Sequence, residues 1–123
     1  MKYIHTNNAP KAVGPYSQAI VSNGFVFCSG QIGLDPKTQL LVDGIEAQTH
    51  QVLKNVEAVL KEAGTDLSSV IKTTIFGVDM GDFAKVNEIY GQYFSDHKPA
   101  RATVAVASLP KGAIIEIEAI AQS

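Results

Sequence analysis

The stretch DGIEAQTHQVLKNVEAVLKEAG, Asp43 to Gly64, decides how the rest of the chain reads. Ile45, Val52, Val56, Val59 and Leu60 recur at the spacings of one helix face. Asp43 stands three residues before Glu46, the arrangement of a capping box, and Gly64 supplies a left-handed stop. A helix with one apolar stripe needs a surface to lie on, so the segments on either side are read for strands. On the N-terminal side, Ala19-Ile20-Val21 and Gly24-Phe25-Val26-Phe27-Cys28-Ser29 flank the turn former Asn23-Gly24 and make a hairpin. On the C-terminal side, Val70 to Val78 is rich in β-branched residues. A second helix starts near Asp79 or Gly81, carries Phe83, Val86, Tyr90 and Phe94 on one stripe, and ends at His97-Lys98-Pro99. Two further runs, Thr103 to Val106 and Ile114 to Ala121, are joined through Leu109-Pro110-Lys111-Gly112.

The predicted order is β-β-β-α-β-α-β-β, an α+β domain over residues 1–123 in which two helices cover one face of a single sheet. Phe25-Val26-Phe27 and Thr73-Thr74-Ile75-Phe76 are apolar on both faces. The uncovered face is therefore expected to be buried against copies of the chain. With 123 residues, the area scaling laws give roughly 6,400 Å² of folded surface against about 19,000 Å² unfolded, enough burial to dispense with staples. A single Cys excludes an internal disulfide framework and suits a reducing compartment. A net charge of −2 with no Lys/Arg run lacks the electrostatic footprint of a nucleic-acid or anionic-membrane binder. No apolar stretch approaches the roughly 20 residues of a membrane helix, and the N-terminus carries neither a signal-peptide core nor a transit-peptide bias. A soluble cytoplasmic protein is expected.

Several residues do not fit a bland pattern. In Ile114-Ile115-Glu116-Ile117-Glu118-Ala119-Ile120 the period of two puts Glu116 and Glu118 on one face, about 7 Å apart. They form either a solvated polar face or, if shielded, a pair in which one pKa is raised. Arg101 is the sole Arg; the other nine cations are Lys. Its rigid fork grips a carboxylate through two bonds, which Lys cannot imitate, although a lone Arg can also pair with a surface acid. If the last two strands pair, Arg101 stands beside the two glutamates. Tyr16, after the Gly14-Pro15 turn, is either a packed aromatic or a hydroxyl offered to a ligand. Ser29-Gly30 ends an apolar strand where a β-bulge or a close approach of ligand is expected. Asn87 lies within the second helix's stripe, where a buried amide needs partners. Cys28, between Phe27 and Ser29, reads as an inert buried thiol. His5, His50 and His97 have no metal-ligand spacing, and no hydrolase, phosphate-loop or dinucleotide signature is present.

Together these stretches resemble the RidA (YjgF, or L-PSP) family of imine and enamine deaminases. The matching motifs are A-P-x-A-x-G-P-Y-S-Q at Ala9 to Gln18, S-G-Q-I at Ser29 to Ile32, and Q-T-x-Q-V-L-x-N at Gln48 to Asn55. They continue with V-N-E-x-Y at Val86 to Tyr90, H-K-P-A-R at His97 to Arg101, and L-P-K followed by I-E-I-E at Leu109 to Glu118. The resemblance implies a chorismate-mutase-like fold with a mixed sheet, assembled as a homotrimer with a central barrel and clefts between subunits. It implies hydrolysis of 2-imino acids and enamines such as 2-aminoacrylate to 2-keto acids and ammonia, with no cofactor and no metal. Arg101 would clamp the substrate carboxylate with the backbone N–H of Thr103, and Glu116 would hold the attacking water and move its proton. Tyr16, Ser29, Gly30 and Asn87 would shape the cleft, in part from an adjacent subunit. The resemblance also leaves open a ribonuclease or translation inhibitor, which the low charge opposes, and a non-catalytic metabolite sensor using the same clefts. The chain departs from the family at Thr103, where many members carry Cys, and at Gly33, where many carry Pro and where a more mobile loop is expected.

Overall fold

The computed structural model describes residues 1–123. Helix α1 spans Ile45–Glu62 and buries Val52, Val56, Val59 and Leu60, with Leu53 added to the stripe. Its start corrects the capping expectation. Gly44, at φ 90°, is the N-cap and no side chain caps the helix, so Asp43 lies one residue outside. A residue other than glycine would be strained at that φ, and the backbone conformation decides the boundary. Its end is as expected: Gly64 is left-handed, with Gly64 N–H donating to Lys61 C=O and Thr65 N–H to Leu60 C=O, the paired bonds of a Schellman stop.

Six strands join one sheet: β1 Lys2–Ile4, β2 Ala19–Ser22, β3 Phe25–Ile32, β4 Val70–Gly77, β5 Ala100–Ala105 and β6 Ile115–Gln122. Asn23 and Gly24 both have positive φ (52° and 82°) and close the β2–β3 hairpin, pairing Ser22 with Phe25. The spatial order is β1-β2-β3-β6-β4-β5, antiparallel except for the parallel β4–β5 pair. The sheet is thus mixed, and the element order matches the predicted one. The last two strands do not pair with each other, because β4 lies between β5 and β6 and hydrogen-bonds to both. A crossover through the second helix returns β5 parallel to β4, which leaves β5 at the sheet edge.

Helix α2, Phe83–Tyr93, follows a 3₁₀ turn at Met80–Asp82 that Asp79 caps through a 2.8 Å bond from Gly81 N–H. It ends at Tyr93, four residues before the His97-Lys98-Pro99 punctuation. Its buried side is Phe83, Val86, Ile89 and Tyr90, so Ile89 rather than Asn87 completes the stripe. Both helices lie on one face of the sheet. There α1 packs on β3, β6 and α2, and Ile75, Ile115, Ile117, Ala119 and Val26 fill the core beneath. The accessible surface is 6523 Å², close to the value scaled from chain mass. The other sheet face is open and carries Phe25 and Phe27 (37% and 46% exposed) beside half-buried Phe76 and Ile120. No helix is long and apolar enough to cross a membrane.

Candidate active site

A break in the β3–β6 ladder creates the site. Cys28 pairs with Ala119 and Gln31 with Ile117, so Ser29 and Gly30 together face only Glu118. This is the bulge anticipated at the strand's end. Ser29 is tied to the preceding segment twice, by Ser29 N–H to Gln18 C=O (2.9 Å) and by Ser29 Oγ to Ser17 C=O (2.6 Å). Buried Gln18 anchors that segment in turn, accepting from Thr6 N–H and donating to the carbonyls of Thr6 and Pro10. The strap brings Tyr16, 53% exposed, over the bulge. Between these elements lies a cleft of about 710 Å³ lined by Tyr16, Ser29, Gly30, Glu116, Glu118 and Lys111, among others.

Glu116 sits on Gly30. A Cβ at position 30 would lie 2.0 Å from Glu116 Oε2, so the absence of a side chain there makes room for the carboxylate. The φ of Gly30 is not left-handed; this glycine is needed for space alone. Partial burial pushes the Glu116 carboxyl above the ordinary carboxylate range, and the neighbouring Glu118 adds to the effect. Glu116 makes no ion pair within its own chain: the one ion pair in the molecule joins Lys85 to Glu46.

The remaining predicted residues lie elsewhere. In register, Arg101 pairs with Thr73 and Glu116 with Phe76. Positions 73 and 76 are an odd number of residues apart, so Arg101 and Glu116 point to opposite faces of the sheet. The exposed Arg101 side chain lies on the helix side, its guanidinium 4.9 Å from the centroid of the Tyr90 ring. This corrects the expectation that Arg101 stands beside the glutamates within one chain: strand insertion and side-chain parity keep them apart. Thr103, half-buried on the same strand, holds an Oγ1 that is buried without a partner. Asn87 is exposed on α2, not a buried amide. The cleft therefore gathers Tyr16, Ser29, Gly30 and Glu116 but not Asn87, Arg101 or Thr103.

The sequence matches the endoribonuclease L-PSP family over residues 6–123. The chain belongs to that family. This is the RidA family to which its motifs point. The human 2-iminobutanoate/2-iminopropanoate deaminase is 50% identical over 121 residues, covering 98% of this chain and 88% of its own. Among solved structures, RidA of the Antarctic bacterium Psychrobacter sp. PAMC 21119 superposes with a TM-score of 0.98 at 44% identity, covering 100% of both chains. Escherichia coli TdcF with bound serine superposes at 0.96 and 42% identity, covering 100% of this chain and 99% of its own.

Within this L-PSP-family chain, two features of the site had no clear signal in the sequence. Lys111 lines the cleft with a left-handed backbone (φ 59°, ψ 20°), a conformation that the neighbouring Gly112 made easier to expect for itself than for lysine. Tyr90, read as a core aromatic, is also the platform under Arg101. Cys28 is buried as expected, and burial with the nearby Glu118 pushes its thiol up to about 12. The Gly33 loop is not loose. Gly33 packs against Gln48 so closely that a Cβ would lie 3.0 Å from the Gln48 backbone, and its carbonyl accepts from Val42 N–H at 3.0 Å.

Proposed function

We propose that this protein is a hydrolytic deaminase of 2-imino acids and their enamine tautomers, acting in clefts completed by a neighbouring copy of the chain. One observation carries the reading. Glu116 waits in a partly desolvated cleft whose lysines make no ion pair with it, while the lone Arg stands at an open sheet edge with no carboxylate, on the opposite face of the same sheet. Each supplies what the other lacks, and two copies can bring them together. The apolar open face of the sheet, with Phe25 and Phe27, supports the same conclusion. A homotrimer of chorismate-mutase-like subunits, with those faces forming a central barrel, would set the β5 edge of one subunit against the cleft of the next. Asn87, exposed on the helix that carries Tyr90, would approach the cleft with Arg101.

The chemistry follows from the side chains. The Arg101 fork binds the substrate carboxylate through two charge-assisted bonds. Val106 N–H donates to Gly77 C=O on β4; alternation along β5 turns the Thr103 N–H to the free edge, where it adds a third donor. Solvent first protonates the imine nitrogen to the iminium, and Glu116 then accepts a proton from water as the water oxygen bonds to the C=N carbon and the C=N π pair moves to nitrogen. The resulting carbinolamine loses ammonia when Glu116 returns its proton to nitrogen, the C–N bond breaks and the hydroxyl proton passes to solvent, giving the 2-keto acid. For an enamine, protonation at the terminal carbon comes first and produces the same iminium. The net change is imine plus water to keto acid plus ammonia. An iminium carbon is already electrophilic, so positioning and one proton carrier suffice. A carboxyl with raised proton affinity takes up a proton more readily than an ordinary carboxylate does, and so suits both taking and returning one. The names of the human deaminase and of TdcF with bound serine, a small ligand with a carboxylate, agree with this substrate class.

The test generates 2-iminobutyrate or 2-iminopropionate in situ and follows its loss. Wild-type rates well above those of Arg101→Ala and Glu116→Ala are expected; a wild type no faster than Arg101→Ala overturns the assignment. The family's descriptive name favours a second reading, a ribonuclease. A net charge of −2 with one Arg argues against it, and binding of single-stranded RNA by nuclease-free protein at about 50 mM salt would support it.

A further inference from the structure

Arg101 has no ion pair and no hydrogen-bonded side-chain partner within its chain. An arginine on an edge strand, free to sample its rotamers, is a poor clamp, because each substrate must then order it. What the guanidinium does have is an aromatic face, with its Cζ 4.9 Å from the Tyr90 centroid, inside the roughly 6 Å range of cation–π attraction. That ring is itself fixed. Tyr90 is buried, stacks on Phe94 at 4.7 Å between centroids, and shares a 2.7 Å hydrogen bond between its Oη and Thr73 Oγ1. Thr73 is 1% exposed and is also the residue on β4 that pairs in register with Arg101. One side chain therefore ties the arginine's strand to the ring beneath the arginine's head. The contact works in both directions, since the nearby cation opposes the rise that burial imposes on the Tyr90 phenol.

We propose that Tyr90, locked by Thr73, is the positioning residue that presents the Arg101 fork toward the substrate carboxylate. The inference rests on the reading of Arg101 as the carboxylate clamp. A carboxylate partner would occupy the N–H edge of the guanidinium, whereas a ring contact leaves those donors for the ligand. Preorganisation of this kind acts on binding: the carboxylate is held alike in ground and transition states, so KM should carry the effect and kcat should not.

The experiment measures kcat and KM for 2-iminobutyrate, and the affinity for the product 2-oxobutyrate by calorimetry. The proteins are the wild type, Arg101→Ala, Tyr90→Phe, Tyr90→Met, Thr73→Val and the double variant Arg101→Ala/Tyr90→Met. Tyr90→Met fills part of the same space with an apolar chain but removes the π face and the bond to Thr73; it should raise KM and the product Kd about tenfold with kcat little changed. Tyr90→Phe and Thr73→Val each keep the ring but break its hydrogen bond to the other residue, so both should raise KM and the product Kd by about threefold, less than Tyr90→Met does. In the Arg101→Ala background the Tyr90→Met change should add nothing. An unchanged KM in Tyr90→Met, or a full additional loss in the double variant, overturns the proposal and leaves Tyr90 a core residue. If Tyr90→Met does not fold, an unchanged KM in Thr73→Val overturns it. A wild type that neither turns over the imine nor binds 2-oxobutyrate through Arg101 overturns the underlying reading, and this inference with it.

Discussion

Replacing Gly30 by Ala separates the seat of Glu116 from the stability of the fold. The added Cβ would meet Glu116 Oε2 at 2.0 Å, Cδ at 2.9 Å and Cγ at 3.1 Å. Ordinary contact begins near 3.4 Å, so the carboxylate oxygen must retreat by at least about 1.4 Å, which the open cleft allows by rotation of the side chain. Misplacing a reacting group by about 1 Å costs on the order of 10²-fold in rate. Stability should move little or rise, because the position does not require left-handed backbone and alanine narrows the unfolded ensemble by about 0.4–1 kcal/mol. The expected outcome is a kcat for 2-iminobutyrate lowered about a hundredfold in a protein whose thermal midpoint is unchanged or higher. Activity within a few-fold of wild type would refute the reasoning, since Glu116 would then act from some other position or not at all.

Other outcomes follow from the same structure. Activity needs ionised Glu116, so the acid limb of kcat/KM should lie above the ordinary 4.5, and Glu118→Gln, by removing the lesser of the two causes, should move it to lower pH. For stability, the native state holds the Glu116 proton to a higher pH than the unfolded chain does. Stability contributed by that proton is present below pH 4.5 and lost as pH rises through the raised native value. Glu116→Gln should therefore raise the thermal midpoint at neutral pH and leave it unchanged in acid, as read by calorimetry across pH. Cys28, its thiol pushed up to about 12, should resist an aromatic disulfide reagent at pH 8 until the protein is unfolded; rapid reaction in the native state would contradict its burial. Phe27→Glu, on the open sheet face, should lower the molar mass in light scattering to that of a single chain, whereas an unchanged mass would show that this face is not the interface.

Local pattern made most of the elements legible. The valine and leucine spacing of α1, the left-handed Gly64 stop and the Asn23-Gly24 hairpin all depend on residues close in sequence. The order of strands did not, because pairing β4 between β5 and β6 is a long-range choice that no periodicity reports. That one insertion, with the alternation of side chains along a strand, moved Arg101 away from Glu116. Asn87 shows a related limit: it borders the apolar stripe of α2, and the three-dimensional packing of Ile89 decides which of the two is buried. The capping residue failed at Asp43 because Gly44 takes a backbone conformation that aspartate one step earlier cannot replace. Within the cleft, Ser29, Gly30, Tyr16 and Glu116 come together from a bulge that the glycine hinted at and a strap whose anchoring by Gln18 no local pattern reports. Arg101, Thr103 and Asn87 lie outside that cleft, on the β5 edge and on the exposed side of α2.

The claim that one chain carries half of each site is tested most directly by mixing two variants, each impaired at one residue of the site. Arg101→Ala and Glu116→Ala are unfolded together in equal amounts and reassembled, with incorporation of both chains checked by mass. In a cyclic assembly where Arg101 and Glu116 of each site come from different copies, about one site in four pairs an intact Arg with an intact Glu. Roughly a quarter of wild-type imine hydrolysis should return, while the Arg101→Ala/Glu116→Ala double variant mixed with either single variant should restore none. Mixed oligomers of the two single variants no more active than either alone would contradict the account.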